Sequence, residues 1–254
     1  MIRVFYRLSD HGYKKTKPAY VTNDNCLSNF VASCELVNRD WKMRILMDNV
    51  SQETYDHIFK EYAGICEIRG SKLGSGAQSF NKVLDYAIKH GSDDDIIYFV
   101  EDDYIHEYGW GKILKEGFEI GADYVSLYDH PDKYLNPQLG GNPYVEGGGE
   151  VTRLMKSDSC HWKLTNSTTM TFAAKLKTLK EDEDILRGHT SGTYPKDFDM
   201  FLALREKGRS LVTPVPGYAT HGETTWLSPF KNWKQICADT NMTSLHRINH
   251  GISI

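Results

Sequence analysis

Short apolar runs alternate with amphipathic stretches through the first half of the chain. Ile2–Tyr6, Met43–Met47 (apolar apart from Arg44), Ile65–Ile68, Ile96–Val100 and Tyr124–Leu127 have the length of strands. Between them, apolar residues return at helical spacing. Cys26, Leu27, Phe30, Val31 and Cys34 share one face of a helix predicted from Asn25 to about Leu36, capped by Asn23 or Asp24. Ser51 caps a second helix through Tyr62, and Phe80, Val83, Leu84 and Ala87 mark a third from Ala77 to His90. Gly109–Gly117 reads as a short fourth. This alternation predicts right-handed βαβ units, hence an α/β fold with a mostly parallel, Rossmann-like sheet flanked by helices.

From about residue 130 the texture changes. Residues 136–149 are rich in Gly, Pro and Asn. Glu150–Met155 and His161–Leu164 read as a hairpin or ribbon, and Thr168–Ala174 as a further strand, so a smaller mixed or antiparallel sheet is expected here. A charged helix is predicted over Lys175–Arg187 and another over Asp197–Lys207, with Phe198, Phe201, Leu202 and Leu204 inward. Ser210–Val215 is a last strand. No linker separates the parts, so residues 1–254 are expected to form a single domain with a first half at 1–130 and a second at 131–254.

The run Ile96–Val100 ends directly in Glu101–Asp102–Asp103. Adjacent acids at the carboxyl end of a buried strand repel one another unless a cation offsets them, and open α/β sheets bind ligands at that edge. Hard oxygen donors there suit Mg²⁺ or Mn²⁺, which in turn can hold a diphosphate. The alternative is a solvated acidic turn. Gly70–Gly76 is a Gly/Ser loop opening a helix, a place where backbone N–H groups can hold an anion, but it is neither a Walker loop nor G-x-G-x-x-G. Lys14–Lys17 is a small basic cluster, read first as a solvated loop and alternatively as a phosphate contact.

Composition narrows the field further. The net charge of −4 gives no global basic field for nucleic acid, though local clusters remain. The five cysteines are scattered, without a C-x-x-C pair, which suits a reduced cytoplasmic setting and no structural zinc. Charge interrupts the N-terminal apolar run, so it does not read as a signal peptide, and no stretch approaches 18 apolar residues.

Four features fall in order: Asp48 after the second strand, the Gly/Ser turn, Glu101–Asp102–Asp103 after the fourth strand, and Pro195–Lys196–Asp197–Phe198–Asp199–Met200–Phe201–Leu202 opening a late helix. Over roughly residues 1–225 this pattern resembles the GT-A glycosyltransferases, most of all their large inverting bacterial and phage family. The resemblance implies a nucleotide-sugar half at 1–130 and an acceptor half with a C-terminal tail at 131–254. It implies that Glu101–Asp102–Asp103 stands for the D-x-D signature, with Asp103 on Mn²⁺ or Mg²⁺, Asp102 on the ribose or the ion, and Glu101 beside them. Asp48 matches the uracil-contacting Asp. Asp197 matches the catalytic base of the family's E-D-W-D-L-W-L run. Lys196 stands where that run has Glu, which leaves Asp199 as a rival base. Thr220–His221–Gly222 resembles the late His that adds a metal ligand.

Arg7 and Asp10, on the loop after the first strand, and Ser75 and Gln78, on the Gly/Ser turn, are further candidates for the nucleotide side. Trp162, Thr168 and Thr169 are read first as ordinary sheet packing and alternatively as candidates for the acceptor floor, because aromatic faces stack on sugars or bases. Asp197, at a helix N-terminus, is expected to have a lowered pKa. Trp226 and Trp233, with Lys231 and Lys234, are expected to fold over the sheet.

The expected activity is sugar transfer from a nucleotide sugar, a UDP-sugar, to an acceptor hydroxyl with inversion. Two other functions remain open: a nucleotidyltransferase, whose Gly-rich loop after the first strand is missing here, and a non-catalytic sugar- or nucleotide-binding module. The acceptor is expected to be a glycan or lipid-linked sugar, or a hydroxymethylated base in phage DNA. The second is kept open by Lys156, Lys163, Lys175, Lys177, Arg205, Lys207, Arg209, Lys231 and Lys234 in the acceptor half.

Overall fold

The computed structural model describes residues 1–12, 15–34 and 41–240. Lys14 of the basic cluster and the last residues of the first predicted helix lie outside the described residues. One nine-stranded sheet runs through both halves of the chain, in the order β3-β2-β1-β4-β9-β6-β10-β8-β7. β1 (Ile2–Leu8), β2 (Trp41–Asp48), β3 (Glu67–Ser71) and β4 (Ile96–Glu101) are mutually parallel. β9 (Phe172–Lys175) then runs antiparallel between β4 and β6 (Tyr124–Val125). β10 (Leu211–Val215) is parallel to β6, and the ribbon of β7 (Leu154–Lys156) and β8 (His161–Leu164) closes the far edge. The mixed part is therefore continuous with the parallel part. A separate two-stranded sheet pairs β5 (Tyr104–His106) with β11 (Ala219–His221).

Strand alternation explains why both faces are covered. Val4, Tyr6, Tyr98 and Val100 point to one face, against Leu27, Phe30, Ile58, Trp110 and Leu114. These come from α1 (Asn23–Ser33), α2 (Gln52–Tyr62) and α4 (Trp110–Glu119). Phe5, Ile97 and Phe99 point to the other, against Phe80, Leu84, Leu179, Leu186 and Phe201. That face is covered by α3 (Gly76–His90), α5 (Leu176–Glu181), α6 (Glu183–His189) and α7 (Asp197–Glu206). A period of two with both faces apolar produces the nearly continuous hydrophobic runs of the sequence. The single charged helix expected over 175–187 is two, broken at Asp182. That carboxylate is buried and ion-paired to Lys207 (2.6 Å) and Arg209 (2.8 Å), which fixes the bend.

The last described residues fold back as expected. Trp233 is buried with Val21, Cys26 and Ile105, and its indole N–H donates to Ser228 O at 2.7 Å. Among the described residues no helix is long and apolar enough to cross a membrane.

Candidate active site

β1, β4 and β6 point the same way, so their carboxyl ends share one edge of the sheet. β4 leaves the sheet at Glu101 and turns through Asp102–Asp103 into β5, whose partner β11 ends in His221. That antiparallel register sets Tyr104 opposite His221 and draws Asp103 Oδ2 to 3.2 Å from His221 Nε2. The crossing needs a glycine. Gly222 N–H donates to Asp103 O at 2.7 Å, and a Cβ at Gly222 would lie 2.3 Å from Val21 Cγ1.

The three acids separate by partner. Glu101 lies beside Arg7, its register mate across β1 and β4, at 3.5 Å, and accepts from Thr171 Oγ1 at 3.4 Å. Asp102 Oδ2 accepts from Ser9 N–H at 2.7 Å, which ties the loop after β1 to this turn. Asp103 faces His221 and Lys17 Nζ, the latter 3.1 Å away. Burial raises both aspartates, but the outcome differs. Burial and the Asp103 charge push Asp102 well up, whereas His221 and Lys17 outweigh burial at Asp103 and hold it well below the usual carboxylate range.

Asp103 and His221 fit a divalent ion. Two bonds of about 2.1 Å at a right angle span about 3.0 Å, close to the separation of these donor atoms. Among the described residues no group of three His, Cys, Asp or Glu side chains is disposed to hold a metal. The pair leaves the remaining coordination positions to phosphate oxygens and water, the usual arrangement for Mg²⁺ and similar ions with nucleotides.

Asp197 opens α7, and its Oδ1 accepts from Phe198 N–H at 2.8 Å. The expected lowering of its pKa does not occur. Burial, then the charge of Glu101, pushes the carboxyl up to about 6, against the opposing backbone N–H groups and Lys15. The two influences from Glu101 and Lys15 also place Asp197 in the same electrostatic neighbourhood as the β4 turn. Asp199, two residues on, is exposed.

Other predicted residues take supporting positions. Asp48 is buried and accepts from Ser71 Oγ (2.9 Å), Leu73 N–H (2.6 Å) and Gly74 N–H (3.0 Å), so it shapes the Gly/Ser loop itself. Gly74 has φ +72°, a conformation that favours glycine. Ser75 caps α3 through Gln78 N–H and donates to Thr193 O at 2.6 Å, which joins that loop to the one before α7. Gln78 itself is exposed. Arg7 is buried, and its guanidinium donates to Gly76 O and Met170 O at 3.2 Å each. Asp10 accepts from Ser51 N–H (2.7 Å) and Thr54 Oγ1 (3.0 Å) at the head of α2. Arg7 and Asp10 thus brace the loop around the edge instead of pointing into it.

On the other side, Trp162 takes the sheet-packing place and not that of an acceptor floor. Its ring is fully buried under α4, against Gly117, because β8 lies inside the sheet between β10 and β7. It cannot floor an acceptor. Thr168 is buried and bonded to Ser126 Oγ at 2.8 Å, while Thr169 Oγ1 meets Tyr104 OH at 2.5 Å. Nearer the site is the ring of His130, five residues past β6 at the head of the turn Pro131–Tyr134. It lies 4.9 Å from Tyr128 and 5.3 Å from Trp226, and His221 contributes to the lowering of its pKa, after burial.

No protein-family model matches this sequence, and no curated protein matches it. Solved structures do. The crystal structure of GalNAc-T7 with UDP, GalNAc and Mn²⁺ superposes with a TM-score of 0.59 over 87% of this chain, at 11% identity. That alignment spans 42% of the GalNAc-T7 chain. The crystal structure of S. aureus TarS aligns over 84% of this chain and 34% of its own, with a TM-score of 0.47 and 14% identity. The first likeness is one of fold, and the architecture is that of a GT-A glycosyltransferase.

Proposed function

We propose that this GT-A chain is a glycosyltransferase that moves a sugar from a nucleotide diphosphate donor, a UDP-sugar, to an acceptor hydroxyl with inversion. The observation that carries the reading is the convergence of Asp103 and His221, 3.2 Å apart, at the carboxyl edge of the sheet with Asp197 in the same field. The UDP and Mn²⁺ held by the GalNAc-T7 structure support a metal and a uridine nucleotide in this fold.

Asp103 and His221 would hold Mn²⁺ or Mg²⁺. When bound, such an ion offsets the diphosphate charge and makes the nucleotide a better leaving group. Asp197 would take the proton of the acceptor hydroxyl. A carboxyl of pKa about 6 is ionised above that pH and still basic enough to share a proton in the transition state, which a carboxylate of ordinary pKa does less well. Asp199, exposed and two residues further from the helix start, is the lesser candidate for this role. Asp48 would order the Gly/Ser loop that closes over the nucleotide. The acceptor would be approached past His130 and Trp226, whose neighbouring rings, 5.3 Å apart and tilted by 45°, offer apolar faces to a sugar or a base. A glycan or lipid-linked sugar and a hydroxymethylated DNA base are the two acceptor classes to assay.

Thermal melting with Mn²⁺ and a panel of nucleotides and nucleotide sugars tests the reading. A uridine diphosphate compound should raise the melting temperature only with metal, and Asp103→Ala should abolish the rise. Absence of any shift with any nucleotide, with or without metal, would remove the proposal.

A further inference from the structure

The loop between β1 and α1 brings two cations onto the atoms assigned above to the metal. Lys17 Nζ lies 3.1 Å from Asp103 Oδ2, and Lys15 Nζ lies 3.0 Å from His221 Nε2. The Lys17 side chain is 29% exposed and that of Lys15 32%, so both heads can still reach solvent. Their placement is fixed from the backbone. Thr16, between them, accepts from Thr224 N–H at 2.9 Å, and Val21 N–H closes a turn on Pro18 O at 2.9 Å. The loop is thus sewn to the segment that follows β11. Glu223 lies 3.9 Å from Lys15 Nζ and 4.0 Å from His221 Nδ1, so the lysine head is balanced on two sides.

An ammonium group and a divalent ion cannot share these positions. An ion about 2.1 Å from Asp103 Oδ2 and from His221 Nε2 would stand in contact with two like charges already there. A lysine stem has four carbons, so its head can swing while Thr16 stays anchored. The nearest anion for the displaced heads is the diphosphate that arrives with the ion, and lysine binds phosphate as a point charge.

Resting on the donor-site reading above, we infer that Lys15 and Lys17 are this chain's own counter-charge for the donor diphosphate. They sit on Asp103 and His221 before the metal and nucleotide enter, and on phosphate oxygens afterwards. This role gives two effects of opposite sign, neither of which is activity.

Titration calorimetry on the full chain reads both. In Lys15→Met/Lys17→Met, Mn²⁺ alone should bind about 3–10-fold tighter, because the competing ammonium groups are gone. UDP added at saturating Mn²⁺ should bind at least about 10-fold weaker. Lys15→Arg/Lys17→Arg should restore most of the UDP affinity, and Lys60→Met, on the exposed face of α2, should change neither value. Tighter Mn²⁺ binding also reports that the double variant is folded. Unchanged UDP affinity in the double variant, with the wild type binding UDP, overturns the inference and leaves the donor site standing. A wild type that binds no UDP with Mn²⁺ overturns both.

Discussion

The two ends of the sheet are held together by different means. Around β1 and β4, Phe5, Phe80, Phe99 and Phe172 interlock with ring centroids 4.8–6.1 Å apart, and the core is almost wholly apolar. Past β6 the interior is polar. Asp129, fully buried, pairs with Lys163 Nζ at 3.0 Å and accepts from Tyr134 OH at 2.7 Å. Lys133, also buried, donates to Ser167 Oγ at 2.7 Å, while Asn142 and Asn166 bond each other at 3.0 and 3.1 Å. Rings packed on a regular sheet make that end rigid. Charged groups bridging irregular loops can hold the other end together without strands, at the risk that losing one partner leaves the other buried and unpaired.

The division of labour between these ends can be broken chemically. Asp197→Asn should lower the turnover of sugar transfer by about 10²–10⁴-fold, the range for a missing general base, as read by steady-state release of the nucleotide diphosphate. Asp199→Asn should cost far less in the same assay. A loss at Asp199 as large as that at Asp197 would move the base.

Stability sharpens the same contrast. Lys163→Met should destabilise by about 3–5 kcal/mol, because Asp129 is left charged and buried. Phe99→Ala should cost a similar amount, about 3–5 kcal/mol, through the cavity it leaves. Adding Asp129→Leu to Lys163→Met should recover much of the first loss in denaturant unfolding, since the fully buried Asp129 carboxylate is then gone and only Glu150, 3.6 Å from Lys163, has lost a partner. No second change of that kind removes the Phe99 cavity. Failure of the double variant to recover would mean that shape, not charge, governs the region past β6.

Much of the parallel part of the sheet was legible. Ile96–Val100 announces a doubly covered strand because both faces of β4 meet helices, and the acids after it announce an edge. The region past β6 was less so. Asp129 and Lys163 are 34 residues apart in sequence on separate loops and strands, and no periodicity links them. β5 and β11 are three residues each, too short to carry a pattern, yet they bring Asp103 to His221. Trp162 was an acceptor-floor candidate only as an aromatic face; that α4 covers its ring was not visible in the sequence. The raised pKa of Asp197 escaped for a similar reason: the helix start was visible, the burial and the Glu101 charge were not.

That pKa gives a smaller effect with a definite sign. A carboxyl raised from 3.8 to about 6 in the folded protein favours the protonated form, so its contribution to stability is full below about pH 4 and is lost as pH rises through 6. Asp197→Asn mimics the protonated form. It should melt higher than the wild type at pH 8, by about 1–2 kcal/mol of stability, and equal it near pH 4. The reverse order at pH 8 would show that the charged carboxylate is stabilised in the fold. The smallest expected change is at Asp10, where Asp10→Ala removes the acceptor at the head of α2 and should lower stability by about 0.5–1 kcal/mol, read as a drop of a few degrees in melting temperature.

The central claim is that one edge of the sheet binds the donor while the head of α7 supplies the chemistry. Calorimetric titration of UDP at saturating Mn²⁺ into Asp103→Ala and Asp197→Asn, side by side, tests it directly. Asp103→Ala should lose the binding, and Asp197→Asn should bind within about twofold of the wild type. Retained binding in Asp103→Ala, or equal losses in the two variants, would contradict the account.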